Sequence, residues 1–259
     1  MLLDAGRATG YNLDMTNEPV YTYPRRRLIR HAIQGITRVL FRAISDFRVV
    51  GRENFPKEGP LLVVANHFSF LDPVALLTVS PYPIEFVGGF KTPNAPDSVG
   101  WLRKLWGYYP VYRGTGSQIA FRAAEAVFGH QGVLGIFPEG SSAHAILRPP
   151  RGGAAFMAAR SHARILPVGL DGFTDVFPAL RRGRRARATV RIGKPFGPVS
   201  APGRGRGRRK RVDAIGHEIM QRIRDLLPPE RHGHYSDDPA IRAAAQGTEY
   251  YPWDEEPEG

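Results

Sequence analysis

The sequence of 259 residues contains no cysteine, which excludes a disulfide framework, a thiolate zinc site and a cysteine nucleophile, and leaves the redox compartment unreadable. It also lacks an uninterrupted apolar run of the ~18 to 20 residues that a membrane span needs, and its opening MLLDAGRATG lacks the basic-then-apolar layout of a signal peptide. The expectation is a protein of the cytosol or of a membrane surface. Acids are scarce beside bases, 24 Asp and Glu against 36 Lys and Arg, for a formal charge of +12. The bases are mostly arginine, which points to a G+C-rich bacterial genome. The scarcity of acids is uneven: residues 230–259 hold eight acids against Arg231 and Arg242, a net of −6, so residues 1–229 carry +18. Gly (29) and Pro (23) are abundant, about a fifth of the chain against a usual ~12%, so many turns must follow. A hydrophobic share of 42% supports a packed core and excludes wholesale disorder.

Short apolar runs bounded by turns, at 61–65, 84–87, 133–137, 165–168 and 189–192, predict strands. Helical candidates lie between them at 73–78 and 117–128, the latter with Ser117 to cap it and Gly129 to end it. A last helix is expected at 212–227, stopped by Pro228 and Pro229. Alternation of the two kinds of element predicts an α/β fold: a mixed central sheet flanked by helices on both faces. Ahead of it, Leu28, Ile29, Ala32, Ile33, Ile36, Val39, Leu40, Ala43 and Ile44 recur at helical spacing, with Arg30, Arg38 and Arg42 largely off the stripe. This predicts a basic amphipathic helix over 25–44 that either lies in a membrane interface or packs on the protein's own core. Three parts are expected: an N-terminal extension at 1–47, a main domain at 48–228, and an acidic, flexible tail at 229–259.

Two segments can carry chemistry. In the first, a strand delivers Asn66-His67 into a turn, and Asp72-Pro73 opens a helix. Residues five apart on one straight helix point ~140° away from each other, so a bend must bring His67 and Asp72 together. Asp72 then holds the imidazole tautomer whose other nitrogen takes a proton from a hydroxyl. The alternative is that Asp72 only caps the helix beginning at Pro73. The second segment is Phe137-Pro138-Glu139-Gly140-Ser141, at a strand's end where α/β folds bind ligands. Glu139 can bind an acceptor hydroxyl there, or be a solvated turn residue. Gly114-Thr115-Gly116-Ser117 lacks the ending of a phosphate loop, and the remaining histidines show no ligand spacing beyond a weak His232-Gly233-His234 pair, so no metal is expected. Arginines at 181–191 and 204–211 suit anionic lipid better than nucleic acid, since no aromatics interleave them.

In order along the chain, these segments resemble the glycerolipid acyltransferase family, which contains the lysophosphatidate acyltransferases. The first block of that family, a His, four residues and an Asp, is met by His67 and Asp72, with Asn66 in front. A second block is similar to Gly107 followed by Arg113, a third is Phe137-Pro138-Glu139-Gly140 in full, and a fourth resembles the apolar run around Pro167. The resemblance spans about residues 51–191. It implies transfer of a fatty acyl group from acyl-CoA or acyl-carrier protein to a lysophospholipid hydroxyl, most simply lysophosphatidate to phosphatidate, without a cofactor, at the cytoplasmic face of an anionic membrane. His67 and Asp72 would be catalytic, and Arg113, Glu139 and Gly140 would bind the acceptor. Asn66, Gly107, Phe137, Pro138, Ser141 and Pro167 would support them. Ser141-Ser142 stands where members often have Thr-Arg, which removes one candidate phosphate ligand and keeps other lysophospholipid or glycolipid acceptors open. Lys91 stands without the acid that often follows it in the family. The rival from another class is a non-catalytic basic module that binds lipid or nucleic acid.

Overall fold

Five apolar residues in a row, with no polar alternation, must be buried on both faces, and 61–65 are all buried in the middle of a seven-stranded sheet. The computed structural model describes residues 11–13, 19–21, 27–89, 106, 108–111 and 118–250. In chain order these form an antiparallel ribbon of β1 (Tyr11–Leu13) and β2 (Pro19–Tyr21), then α1 (Arg27–Ile44), β3 (Ser45–Val50) and β4 (Leu61–Ala65). There follow α2 (Asp72–Val79), β5 (Ile84–Gly89), β6 (Tyr108–Val111), α3 (Gln118–Gly129), β7 (Val133–Ile136) and α4 (Gly152–Ser161). The chain continues through β8 (Arg164–Asp171), α5 (Val176–Leu180), β9 (Ala186–Ile192), α6 (Gly205–Arg224) and α7 (Pro239–Ala245). The sheet order is β3-β9-β8-β4-β7-β5-β6, and every neighbouring pair is parallel except β8 with β9.

Each face of the sheet has its own core. Leu62, Val64 and Leu134 meet α3, α4 and α6 on one side, while Leu61, Val63 and Ala65 meet α1 and α2 on the other. The mixed sheet with helices on both faces is as the sequence predicts. Pro167, which cannot donate to a ladder, sits in β8 where the pairing to β9 stops, since that pairing covers Val168–Asp171.

Two expectations are corrected. The tail is not a flexible extension over its described part, because residues 229–250 fold onto the domain. Leu147 N donates to Arg231 O (2.9 Å), His234 N donates to Leu147 O (3.1 Å), and Arg231 pairs with Asp171 at 3.2 Å. Its acids serve local ends: Asp238 caps α7 by accepting from Ala240 N at 2.8 Å. Residues 251–259 lie outside the described residues. The second correction concerns Arg30 on α1, expected with Arg38 and Arg42 on the exposed basic side of the helix. Leu28, Ile29, Ile36, Val39 and Leu40 face outward, whereas Arg30, Gln34 and Thr37 are buried against the domain beside Ile33 and Phe41.

This reversal follows from what α1 meets. Arg30 makes a two-pronged ion pair with buried Glu85 at the start of β5, through Nη1 to Oε1 and Nη2 to Oε2 (2.9 Å), and its Nε donates to Trp106 O at 2.7 Å. Its guanidinium also lies over the Trp106 ring, 5.4 Å from the centroid. Gln34 donates to the carbonyls of Leu77, Ser80 and Tyr82, and Arg38 to those of Thr78 and Ser80. The last turn of α2 and the chain after it thus find their donors on α1. Because breaking a buried pair leaves an uncompensated charge, Arg30→Ala or Glu85→Ala should each destabilise the fold by about 3–5 kcal/mol in denaturant titrations. Leu28→Ser, on the outward face, should change stability by no more than about 0.5 kcal/mol.

Candidate active site

The site forms at the carboxyl ends of β4 and β7, which are neighbours in the sheet. Beyond β4, the buried Asn66 amide clasps β8: its Nδ2 donates to Leu170 O (2.8 Å) and its Oδ1 accepts from Leu170 N (2.7 Å). That clasp fixes where the chain leaves the sheet. The next residues bend back so that Asp72 Oδ2 accepts from Phe68 N (2.6 Å) and Ser69 N (2.7 Å) and lies 3.2 Å from His67 Nδ1. The bend brings His67 and Asp72 together across five positions. Asp72 makes no cap on its helix, so the capping alternative fails. Since Oδ2 already accepts two backbone protons, it is the unprotonated oxygen; Nδ1 donates to it, and Nε2 is left as the basic nitrogen. Burial raises the Asp72 pKa, with His67 and the two backbone donors pulling it back.

The turn after β7 holds His67 from the other side. Gly135 has no Cβ because one would lie 2.7 Å from the Phe86 ring. Phe86 stacks on Phe137 at 6.2 Å, and Phe137 stacks on the His67 imidazole at 4.2 Å, which sets the ring plane. Gly140 turns the chain at φ +76, a conformation that favours glycine.

Glu139 departs from its expected role. Its carboxylate is fully buried: Oε1 accepts from His67 N at 3.0 Å, and Oε2 pairs with buried Arg148 at 3.4 Å. It positions the backbone of His67 and does not face an acceptor. Burial pushes its pKa up to about 8 against the pull of Arg148. Ser141 Oγ accepts from Ala143 N within the turn, and Ser141 O accepts from Arg148. Pro138 O accepts from Arg151 N at 2.8 Å. Pro167 lies inside β8, opposite Val64. Arg113, Gly107 and Lys91 lie outside the described residues.

Arg148 and Arg151 were not among the expected residues. Arg148 is the single cation between Gly140 and Pro150, which is the signal that a buried Glu139 would need it. Arg151 is exposed, and its Cγ lies 3.4 Å from where a Gly140 Cβ would stand. Of the four ionisable side chains in the constellation, His67 is 18% exposed while Asp72, Glu139 and Arg148 are at 1%, 0% and 0%, so only the imidazole is reachable. Among the described residues no group of three or more His, Asp or Glu could hold a metal ion.

A solvent-reachable imidazole, oriented by a buried carboxylate at the carboxyl edge of a mixed sheet, has the geometry that a general base requires. Residues 46–171 match the family model described as Acyltransferase. A 1-acyl-sn-glycerol-3-phosphate acyltransferase of Chlamydomonas reinhardtii is 26% identical over 216 residues, 80% of this chain and 61% of that protein. A chloroplastic 1-acyl-sn-glycerol-3-phosphate acyltransferase of Brassica napus is 32% identical over 151 residues, 56% of this chain and 42% of that protein. The chain therefore spans less than two thirds of these curated relatives. The crystal structure of the 1-acyl-sn-glycerophosphate acyltransferase PlsC of Thermotoga maritima shares the fold, with a TM-score of 0.50 and 22% identity over 73% of this chain and 78% of that one.

The buried Glu139 generates a pH test. Its folded pKa lies above the unfolded value of 4.5, so the folded chain binds a proton that the unfolded chain releases between about pH 5 and 8. Stability should therefore fall as pH rises through that window, by up to about 1.4 kcal/mol per pH unit from this group. Glu139→Gln keeps size and removes the titration, so the difference in slope between parent and variant, read by denaturant titration at several pH values, should show it.

Proposed function

We propose that the protein is an O-acyltransferase that moves a fatty acyl group from an acyl thioester, acyl-CoA or acyl-carrier protein, to the free hydroxyl of a lysophospholipid. Lysophosphatidate is the acceptor best supported, because both curated relatives are named for it. The observation that carries the reading is the His67–Asp72 pair with its one reachable nitrogen. His67 Nε2 takes the hydroxyl proton as the acceptor oxygen attacks the thioester carbonyl. The tetrahedral adduct then collapses, expelling the thiolate, which receives that proton from the imidazolium. Asp72 holds the tautomer and supports the transient positive charge. No covalent enzyme intermediate is required, and no cofactor or metal enters the step. A basic module that only binds lipid or nucleic acid has no use for an imidazole held in one plane and one tautomer.

The acceptor phosphate needs a cation at the rim. Arg151 supplies one beside Gly140, in the neighbourhood where Ser141-Ser142 leaves the turn without an arginine. The outward apolar side chains of α1 suit a membrane surface, and among the described residues no helix is long and apolar enough to cross one. Phe177, 42% exposed and stacked on Phe70 at 5.7 Å, adds an exposed apolar side chain beside the turn that follows His67. We place the protein peripherally, on the cytoplasmic face.

Purified protein, labelled acyl-CoA and a panel of lysophospholipids, read by lipid mass spectrometry, test the reading directly. Replacing His67 by Ala should lower turnover at least ~10²-fold with the fold retained, because the Glu139 contact is to the His67 backbone and survives the change. A folded variant with parental turnover would remove the mechanism. For the phosphate, Arg151→Ala should raise the KM for a phosphorylated acceptor about 10- to 100-fold and leave a monoacylglycerol unaffected. Equal losses on both acceptors would make Arg151 a structural residue.

A further inference from the structure

Outside the turn that holds His67, the described residues include a concave surface whose polar lining is cationic. A groove of about 220 Å³ runs between α1 and β3, with Arg38, Arg42 and Arg52 as its polar walls and Phe47 and Val49 as its floor. No acid lines it. Two carboxylates flank it in sequence: Asp46, engaged with Arg48 at 3.0 Å and Arg187 at 3.8 Å, and the exposed Glu53 beside Arg52, which is outside the lining. Arg185 donates to the carbonyls of Arg42 and Ser45, which brings a further cation to the end of α1.

The three lining arginines are not equivalent. Arg38 is pinned, with Nε on Thr78 O (3.0 Å) and Nη2 on Ser80 O (3.3 Å). Arg42 and Arg52 are exposed, lie on separate elements and both line the groove. Neighbouring exposed cations repel each other, so such an arrangement favours an anion between them. A phosphate fits, because guanidinium groups match its oxygens in pairs.

Position decides which phosphate. On α1, Arg42 follows the outward-facing Val39 and Leu40, 69% and 48% exposed. Apolar side chains and anion-seeking arginines are therefore adjacent on one surface, as the acyl and phosphate layers are in a bilayer. The floor of Phe47 and Val49 would meet the apolar part of the same molecule. The groove is also distinct from the catalytic pair: β3 is three strands from β4 in the sheet, about 14 Å at the usual strand spacing.

We infer that the α1–β3 groove is a second lipid site, which takes the phosphate headgroup of an anionic phospholipid in the membrane surface and so fixes how the protein lies on it. The inference rests on the membrane reading of α1 and is independent of whether acyl transfer occurs.

The test uses the full chain, flotation with vesicles of phosphatidylcholine alone or with 30% phosphatidylglycerol, and two double variants. Arg42→Gln with Arg52→Gln should bind the anionic vesicles roughly 10- to 30-fold more weakly and the neutral vesicles as the parent does. Ile36→Asp with Val39→Asp should lose binding to both, which reports on the apolar face alone. Glycerol 3-phosphate at constant ionic strength should not release the parent; release would mean that the groove takes free phosphate esters and would overturn the headgroup assignment. Equal flotation of the arginine variant and the parent would overturn the site. Turnover of the arginine variant on a short-chain, water-soluble acceptor should match the parent, and absence of turnover in the parent as well would count against the proposed activity while leaving the flotation result to stand.

Discussion

A carboxylate removed from water must be held by donors, and this chain removes two of them within reach of one histidine. Asp72 takes the imidazole and two backbone N–H groups, and Glu139 takes the His67 backbone N–H and Arg148. Between these anchors His67 has its backbone, its ring plane and its tautomer fixed by three different neighbours: Glu139, Phe137 and Asp72. The two anchors come from loops after different strands. The parallel register of β4 with β7, which pairs Val64 with Ile136, is therefore a condition of the site as much as of the core. Gly135 belongs to the same chain of dependence, since without its bare Cα the rings of Phe86 and Phe137 could not stack behind the imidazole.

On the opposite side of the molecule's economy stands α1, whose amphipathic pattern runs contrary to that of a helix packed on a core. Its inner face is tied to the domain through Arg30, Gln34 and Arg38, so attachment relies on directional hydrogen bonds and one buried ion pair. Directional contacts fix the helix at one rotation, which leaves its apolar side chains outward as a set. A helix held by apolar contacts alone would have turned that stripe inward.

The sheet was legible where burial is symmetric. The runs at 61–65 and 133–137 read as strands because nothing polar interrupts them, and they lead into the loops of His67 and Glu139. The edge strand β3 was not legible, because Asp46 and Arg48 alternate with Phe47 and Val49 directly after a helix, with no turn residue between. At the site, His67 with Asp72 and the Pro-Glu-Gly turn could be read from residue types and order. The inward aim of Glu139 could not: a carboxylate in a Pro-Gly turn reads as solvated, and only the tertiary arrival of Arg148 and the His67 backbone makes its burial tolerable. The rotation of α1 escaped for a similar reason, since periodicity identifies a stripe without saying which face the neighbouring carbonyls will claim. The acidic charge of the tail concealed its packing, because Asp238 serves as a helix cap and Arg231 as a tie to Asp171.

The pairing of residues 145–147 with 231–234 has a consequence for the order of events during synthesis. The strands that precede His67 and Glu139, together with Arg148, leave the ribosome well before Arg231, whose guanidinium and carbonyl secure Ala145 and Leu147 from 84 to 86 positions downstream. Contacts so distant in sequence form late, because the loop they close is long. The nascent chain can thus build its sheet while the segment that carries Arg148 still lacks these backbone partners. The segment after Glu139 gains these ties only once residues 231–234 have been made, which sets a temporal gap between folding of the scaffold and completion of the site.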